Sequence, residues 1–196
     1  MVGGLPVVRH WQFQYKAPFS PLDVIEEYTR PARIRRNGST VVVPALSEGE
    51  LMDFPEVGAL EAFNTDGLRS LLKTCETPEM VEKTARLLLK AWAFDEEEED
   101  LTVMRILVEG EVGGVGGRHT YHMFDRYDVE TGTSSMARTT GYTCTAMVCL
   151  VARNLYTRPG ISPPEFVGRD KTCFDFVFGE LEARDVRLRH EVEEVR

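Results

Sequence analysis

The sequence predicts an α+β domain in which a mixed or antiparallel sheet is covered by helices. Three patterns carry that expectation. Arg33-Ile34-Arg35-Arg36, Asn37-Gly38 and Ser39-Thr40-Val41-Val42-Val43 read as strand, tight turn and strand, because Asn-Gly accepts the positive φ angles of a two-residue hairpin. Leu101 to Glu109 and Arg118 to Tyr127 read as a second hairpin around a glycine-rich tip. From Ser135 to about Tyr156, small and apolar residues fall on several faces of a helical stretch, which predicts a long and largely buried helix.

The remaining elements follow in chain order. Trp11 to Ala17 alternates apolar and polar residues, the period of a half-buried strand. Ser20-Pro21-Leu22-Asp23 starts a helix: Ser20 can cap, Pro21 suits the first turn, and Asp23 complements the helix dipole. Leu22, Ile25 and Tyr28 form its apolar face, and Pro31 stops it. A loop punctuated by proline and glycine runs from Pro44 to Gly58, and Leu60 to Phe63 enters the turn Asn64-Thr65-Asp66-Gly67. Asn64 or Thr65 can cap a helix holding Leu68, Leu71 and Leu72. After Thr77-Pro78, a helical spacing links Met80, Val81, Leu87, Leu88 and Trp92. Pro163-Pro164-Glu165 opens a new segment, Asp170 to Arg184 is an amphipathic helix using Cys173, Phe174, Val177 and Leu181, and Val186 to Val192 suits a final edge strand.

A chain of 196 residues with 42% hydrophobic content can bury one sizeable core, so the whole is read as a single domain, 1–196. The net charge of −9 excludes a nucleic-acid or anionic-membrane surface as the expected partner. The run Asp95 to Asp100 lacks the spacing and glycine turn of a calcium loop and reads as solvated. Cys75, Cys144, Cys149 and Cys173 form no CxxC pair, and no apolar run is long enough to span a bilayer, so a cytoplasmic protein with free thiols is expected. His119 and His122 lie three apart on a strand and should face opposite ways, so no metal is expected there. The glycine cluster from Gly110 to Gly117 has neither dinucleotide nor P-loop spacing and joins two strands.

Several motifs in order resemble one family. They are Gly3-Gly4-Leu5-Pro6, Phe19 to Tyr28, Val43 to Glu48, Glu61 to Gly67, Met80 to Thr84, the stretch Ser134 to Tyr142, and Pro163-Pro164-Glu165. Together they resemble the C-terminal domain of the saccharopine dehydrogenase family, in particular its lysine 6-dehydrogenase-like branch. The resemblance implies a substrate-binding and dimerisation half, with NAD or NADP held mainly by an N-terminal Rossmann domain outside this chain. It implies an enzyme that oxidises the carbon–nitrogen bond of lysine, saccharopine or a related amino acid, as a homodimer, with this domain inactive alone. A non-catalytic assembly or ligand-binding domain is the alternative. The likeness breaks after Lys83-Thr84, where the family continues Leu-Arg-Tyr-Pro-Gly-His and Ala85-Arg86-Leu87-Leu88 follows here. The break is read as a stretch missing between Thr84 and Ala85.

Within that resemblance the candidate residues acquire roles. Asn64 and Asp66 could accept hydrogen bonds from a substrate ammonium and Arg69 could meet a carboxylate, or all three could be ordinary turn, cap and surface groups. Lys83 is the candidate base or carboxylate partner, or a surface lysine beside Glu82. Asp23 and Arg30 lie on the helix expected at the domain junction, where Glu26 and Arg30 could instead pair with each other. Gly3, Gly4, Ser135, Arg138 and Thr139 are the candidates on the cofactor side, the last three at a helix N-terminus, with residues 134–196 packing back toward the cofactor domain. A capped, buried helix is the competing reading of that terminus.

Overall fold

The computed structural model describes residues 2–8, 21–85 and 98–195. The strand expected at Trp11 to Ala17 and the helical spacing beyond Ala85 lie outside the described residues. The elements run β1 (Val2–Pro6), α1 (Pro21–Thr29), β2 (Ala32–Arg36), β3 (Ser39–Val43), β4 (Glu50–Phe54), β5 (Gly58–Asn64), α2 (Leu71–Thr74), β6 (Lys83–Ala85), β7 (Asp100–Val112), β8 (Val115–Arg126), α3 (Ser135–Ala152), α4 (Pro164–Gly168), α5 (Lys171–Glu182) and β9 (Leu188–Glu194). The sheets are antiparallel throughout: a four-stranded sheet in the order β1-β7-β8-β9, a three-stranded sheet β4-β5-β6, and the hairpin β2-β3. The α+β class expected from the sequence is therefore the observed one.

The four-stranded sheet separates two cores. Strand alternation puts Leu101, Val103 and Phe124 on one face, where they pack with Leu5 of β1 and with Val24, Phe54 and Leu60 from α1 and the three-stranded sheet. Met104, Met123 and Leu188 point the other way and pack with Ala146 and Leu150 of α3 and Cys173, Val177 and Leu181 of α5. The glycine pair near the N-terminus has a clear backbone role. Val2 pairs with Val103 and Leu5 with Leu101, so Gly3 and Gly4 oppose one residue at a β-bulge.

The hairpin between β2 and β3 turns at Asn37 (φ 48°) and Gly38 (φ 74°), as the dipeptide requires. The second hairpin extends further into its glycine cluster than expected, turning only at Gly113 and Gly114. α5 has Asp170 at its N-cap, accepting from the Cys173 amide at 3.0 Å, and β9 is an edge strand.

Four expectations are corrected. The loop from Pro44 to Gly58 contains β4, stabilised by pairing with β5 rather than by its own pattern. Asn64 ends a strand instead of capping a helix, and the helix after it is only Leu71–Thr74. The helical spacing at Met80 fails: Met80 bridges Arg35, and Lys83, Thr84 and Ala85 pair with Asn64, Phe63 and Ala62. Finally, α1 buries Val24 (0% exposed) and leaves Ile25 45% exposed, and α3, expected to be largely buried, buries only Ser135, Arg138, Ala146 and Leu150 and leaves Val148 and Val151 in solvent.

Candidate functional site

Two adjoining clefts lie where α1, the β5–α2 connection and β6 meet. The first, of about 410 Å³, is walled on one side by Asp23, Glu26, Glu27 and Arg30 of α1. Its other wall is Thr65, Asp66, Gly67 and Arg69, closed by Glu82. The second, about 610 Å³, runs between the three-stranded sheet and β7, with Glu50, Glu82, Lys83 and Arg105 as its charged members. Gly67 and Glu82 belong to both walls.

The fold thus brings together four of the sequence candidates, Asp23, Arg30, Asp66 and Arg69, in one cleft. It engages each differently. Asp23 is exposed at the rim. Arg30 pairs with Glu26 one helical turn away, the alternative that the spacing allowed. Asp66 is gripped by Arg33, which donates from its backbone amide at 3.1 Å and from Nε and Nη2 at 2.9 and 2.7 Å. These hydrogen bonds hold the Asp66 carboxyl below its ordinary range. Arg69 donates from Nε to the Asp66 carbonyl at 3.3 Å and remains exposed.

Lys83 faces the second cleft. Its ammonium donates to the Glu48 carbonyl at 2.8 Å and lies 3.2 Å from a Glu50 carboxylate oxygen, with 17% of its side chain exposed. Asn64 sits behind both clefts, fully buried. Its amide donates to Ser47 Oγ at 3.2 Å and Glu48 Oε2 at 3.0 Å. The Asn64 hydrogen bond, with the Arg36 pair, pulls the Glu48 carboxyl below its usual range. This network pins the connection holding Leu46 (φ 59°) and Glu48 (φ 55°), two non-glycine residues in the left-handed region.

The residue that the sequence reading passed over is Glu82. Burial raises its carboxyl above the ordinary range, and Glu27 and Asp66 add repulsion. The Gly67 backbone amide opposes that rise, and the carboxyl's Oε2 is buried. Gly67 makes room for it: a β-carbon at position 67 would stand 1.8 Å from that oxygen.

The helix-terminus candidates are engaged inside the fold. Asp100 accepts the Ser135 and Met136 amides at 2.6 and 3.0 Å, in the place an anion would take, and Ser134 Oγ accepts from the Ala137 amide at 3.2 Å. Arg138 donates to Asp125 at 3.3 Å, Asp128 at 2.8 Å and the Arg184 carbonyl at 3.0 Å. Thr139 Oγ1 donates to the Ser135 carbonyl at 2.9 Å. With Gly3 and Gly4 in a strand bulge and Gly113-Gly114 at a hairpin tip, the described residues do not fit a dinucleotide pyrophosphate. His119 and His122 take opposite faces of β8; His119 Nδ1 lies 3.0 Å from His190 Nε2. No group of three or more metal-ligating side chains occurs among the described residues.

Comparison with known proteins adds two findings. The family model described as the saccharopine dehydrogenase C-terminal domain matches residues 1–87 and 62–186, two pieces that overlap. Among solved structures, the fold is similar to apo saccharopine dehydrogenase (L-Glu forming) from Saccharomyces cerevisiae, with a TM-score of 0.76 and 14% identity. That likeness covers 98% of this chain and 65% of the yeast chain.

Proposed function

The chain belongs to the saccharopine dehydrogenase C-terminal domain family, and from that membership we propose that it is the substrate-binding half of an NAD(P)-dependent oxidoreductase acting on the carbon–nitrogen bond of lysine, saccharopine or a related amino acid. The observation that carries this reading is the cleft in which Asp23, Arg30, Asp66 and Arg69 meet. A zwitterionic amino acid needs carboxylates for its ammonium and guanidinium for its carboxylate, and the cleft offers both within one small volume. Lys83, across the shared wall, supplies a further positive charge, already paired with Glu50, for the far end of a long substrate.

NAD or NADP is carried, in this reading, by an N-terminal Rossmann domain outside the chain. Ser135, Arg138 and Thr139 act on the cofactor side by fixing α3, and Gly3 and Gly4 by shaping the strand that receives the chain from that domain. The free thiols of Cys75, Cys144, Cys149 and Cys173 agree with a reducing cytoplasm. No helix among the described residues is long and apolar enough to cross a membrane. The break in the family's order after Lys83-Thr84 is the ground for a stretch missing between Thr84 and Ala85 in this reading. Sequencing the transcript across those codons tests it: uninterrupted Thr84-Ala85 coding refutes the break.

The functional test uses the full-length protein with L-lysine or saccharopine and either nicotinamide cofactor. Reduced cofactor should accumulate with at least one pair, and fall when Arg69 or Asp66 is replaced by alanine. No turnover by the folded, cofactor-loaded protein with any pair would reject the reading. A second reading, assembly, has its own observation. Ile106, Val108 and Val192 share one face of the four-stranded sheet beyond its helices, all exposed, and a second copy of this chain is proposed to cover them.

A further inference from the structure

We propose that Glu82 receives the substrate's ammonium group from the wall that the two clefts share. The inference rests on the substrate-half reading above and names the residue that does the gripping. The other carboxylates of the clefts are committed or solvated: both Asp66 oxygens accept from Arg33, Glu26 pairs with Arg30, Glu50 with Lys83, and Asp23 is exposed. Glu27, whose Oε2 is buried like that of Glu82, lines the first cleft but not the second. Glu82 is the carboxylate on the wall common to both clefts. A substrate ammonium bound there lies between the Asp66–Arg69 side and the Lys83 side, where the two ends of a long amino acid would reach opposite charges.

A buried carboxyl is costly, and the fold keeps it here by placing glycine at position 67, where any side chain would displace it. Burial favours the neutral acid while the cleft is empty. The charges facing it are Asp23, Glu26, Glu27 and Arg30 from α1, Asp66 and Arg69 from the connection, and Glu50, Lys83 and Arg105 across the second cleft. An arriving ammonium favours the charged carboxylate, so a proton held by the empty site passes to solvent as the ion pair forms. Binding therefore tightens as pH rises through the empty-cleft value and releases protons.

Calorimetric titration of the full-length protein with L-lysine and with saccharopine, in buffers of different ionisation enthalpy, reads both affinity and proton release. At a pH below the empty-cleft value, wild type should release protons on binding. Glu82→Gln should bind about ten- to a hundredfold more weakly and release none. Gly67→Ala, which pushes the carboxyl aside without removing it, should weaken binding in the same direction and serves if Glu82→Gln fails to fold. Unchanged affinity and proton release in a folded variant overturns the role of Glu82 and leaves the substrate reading standing. Failure of wild type to bind either amino acid overturns both.

Discussion

Asp100 on β7 caps α3: its Oδ1 accepts the Ser135 backbone amide at 2.6 Å, and its other oxygen accepts the next amide, of Met136, at 3.0 Å. The contact joins sheet to helix at a carboxylate that is 2% exposed. It explains why a helix start rich in hydroxyls is not an open anion site. The charge that the dipole favours is supplied by the protein itself.

Replacing Asp100 with alanine leaves two buried amides without acceptors. The loss should be about 2 kcal/mol, at the upper end for a cap, with Asp100→Asn recovering part of it. Urea denaturation of the three proteins checks this. An alanine variant as stable as wild type would mean that α3 does not depend on this anchor.

Arg138 deserves the same treatment on energetic grounds. It is nearly buried, spans Asp125, Asp128 and the Arg184 carbonyl, and lies against the Tyr142 ring. Asp125 is raised above its ordinary range by burial, which Arg138 opposes. Arg138→Met therefore strands a buried carboxyl and should cost about 3–5 kcal/mol. Adding Asp125→Asn should return part of that loss. Additive losses in the double-mutant cycle would show that the two side chains are not coupled.

The Asp66–Arg33 pair has a pH signature. Arg33 holds the Asp66 carboxyl below its unfolded value, so the stabilisation is complete above the unfolded pKa, roughly 4, and disappears as pH falls through the lower native value. Asp66→Asn should be less stable than wild type near neutrality, and the gap should close on acidification. Thermal midpoints across that range decide it. A gap independent of pH would assign the loss to packing instead of charge.

What the sequence disclosed depended on how local each signal was. Asn37-Gly38 fixes its hairpin from two residues, and Asp170 with Cys173, Val177 and Leu181 specifies α5 from one turn to the next. β4 and β6 are different: Glu50–Phe54 and Lys83–Ala85 are strands because β5 lies between them, and pairing partners leave no local mark. The site divides the same way. Asp23, Arg30, Asp66 and Arg69 were reachable through motifs, whereas Glu82 resembles a surface residue beside Lys83. Its burial is produced by packing, and its space by a glycine fifteen positions earlier. Arg33 was missed, and Asp100 was wrongly read as solvated with its acidic run, because each acts on a partner distant in sequence.

The four-stranded sheet offers the test of assembly. Register places Val108 beside His119 and Val192, and Ile106 beside Tyr121 and His190, on the face that α3 and α5 cover only toward Met104 and Met123. Val108 is 54% and Val192 60% exposed, so their replacement removes little intramolecular packing. Val108→Lys with Val192→Lys should leave unfolding within about 0.5 kcal/mol of wild type, because surface sites contribute little to folding. The same pair placed in an interface would bury like charges without partners and drive subunits apart. Light scattering on the full-length protein should give the mass of two chains for wild type and of one for the double variant. A wild-type monomer, or a variant that stays paired, removes this face from the interface.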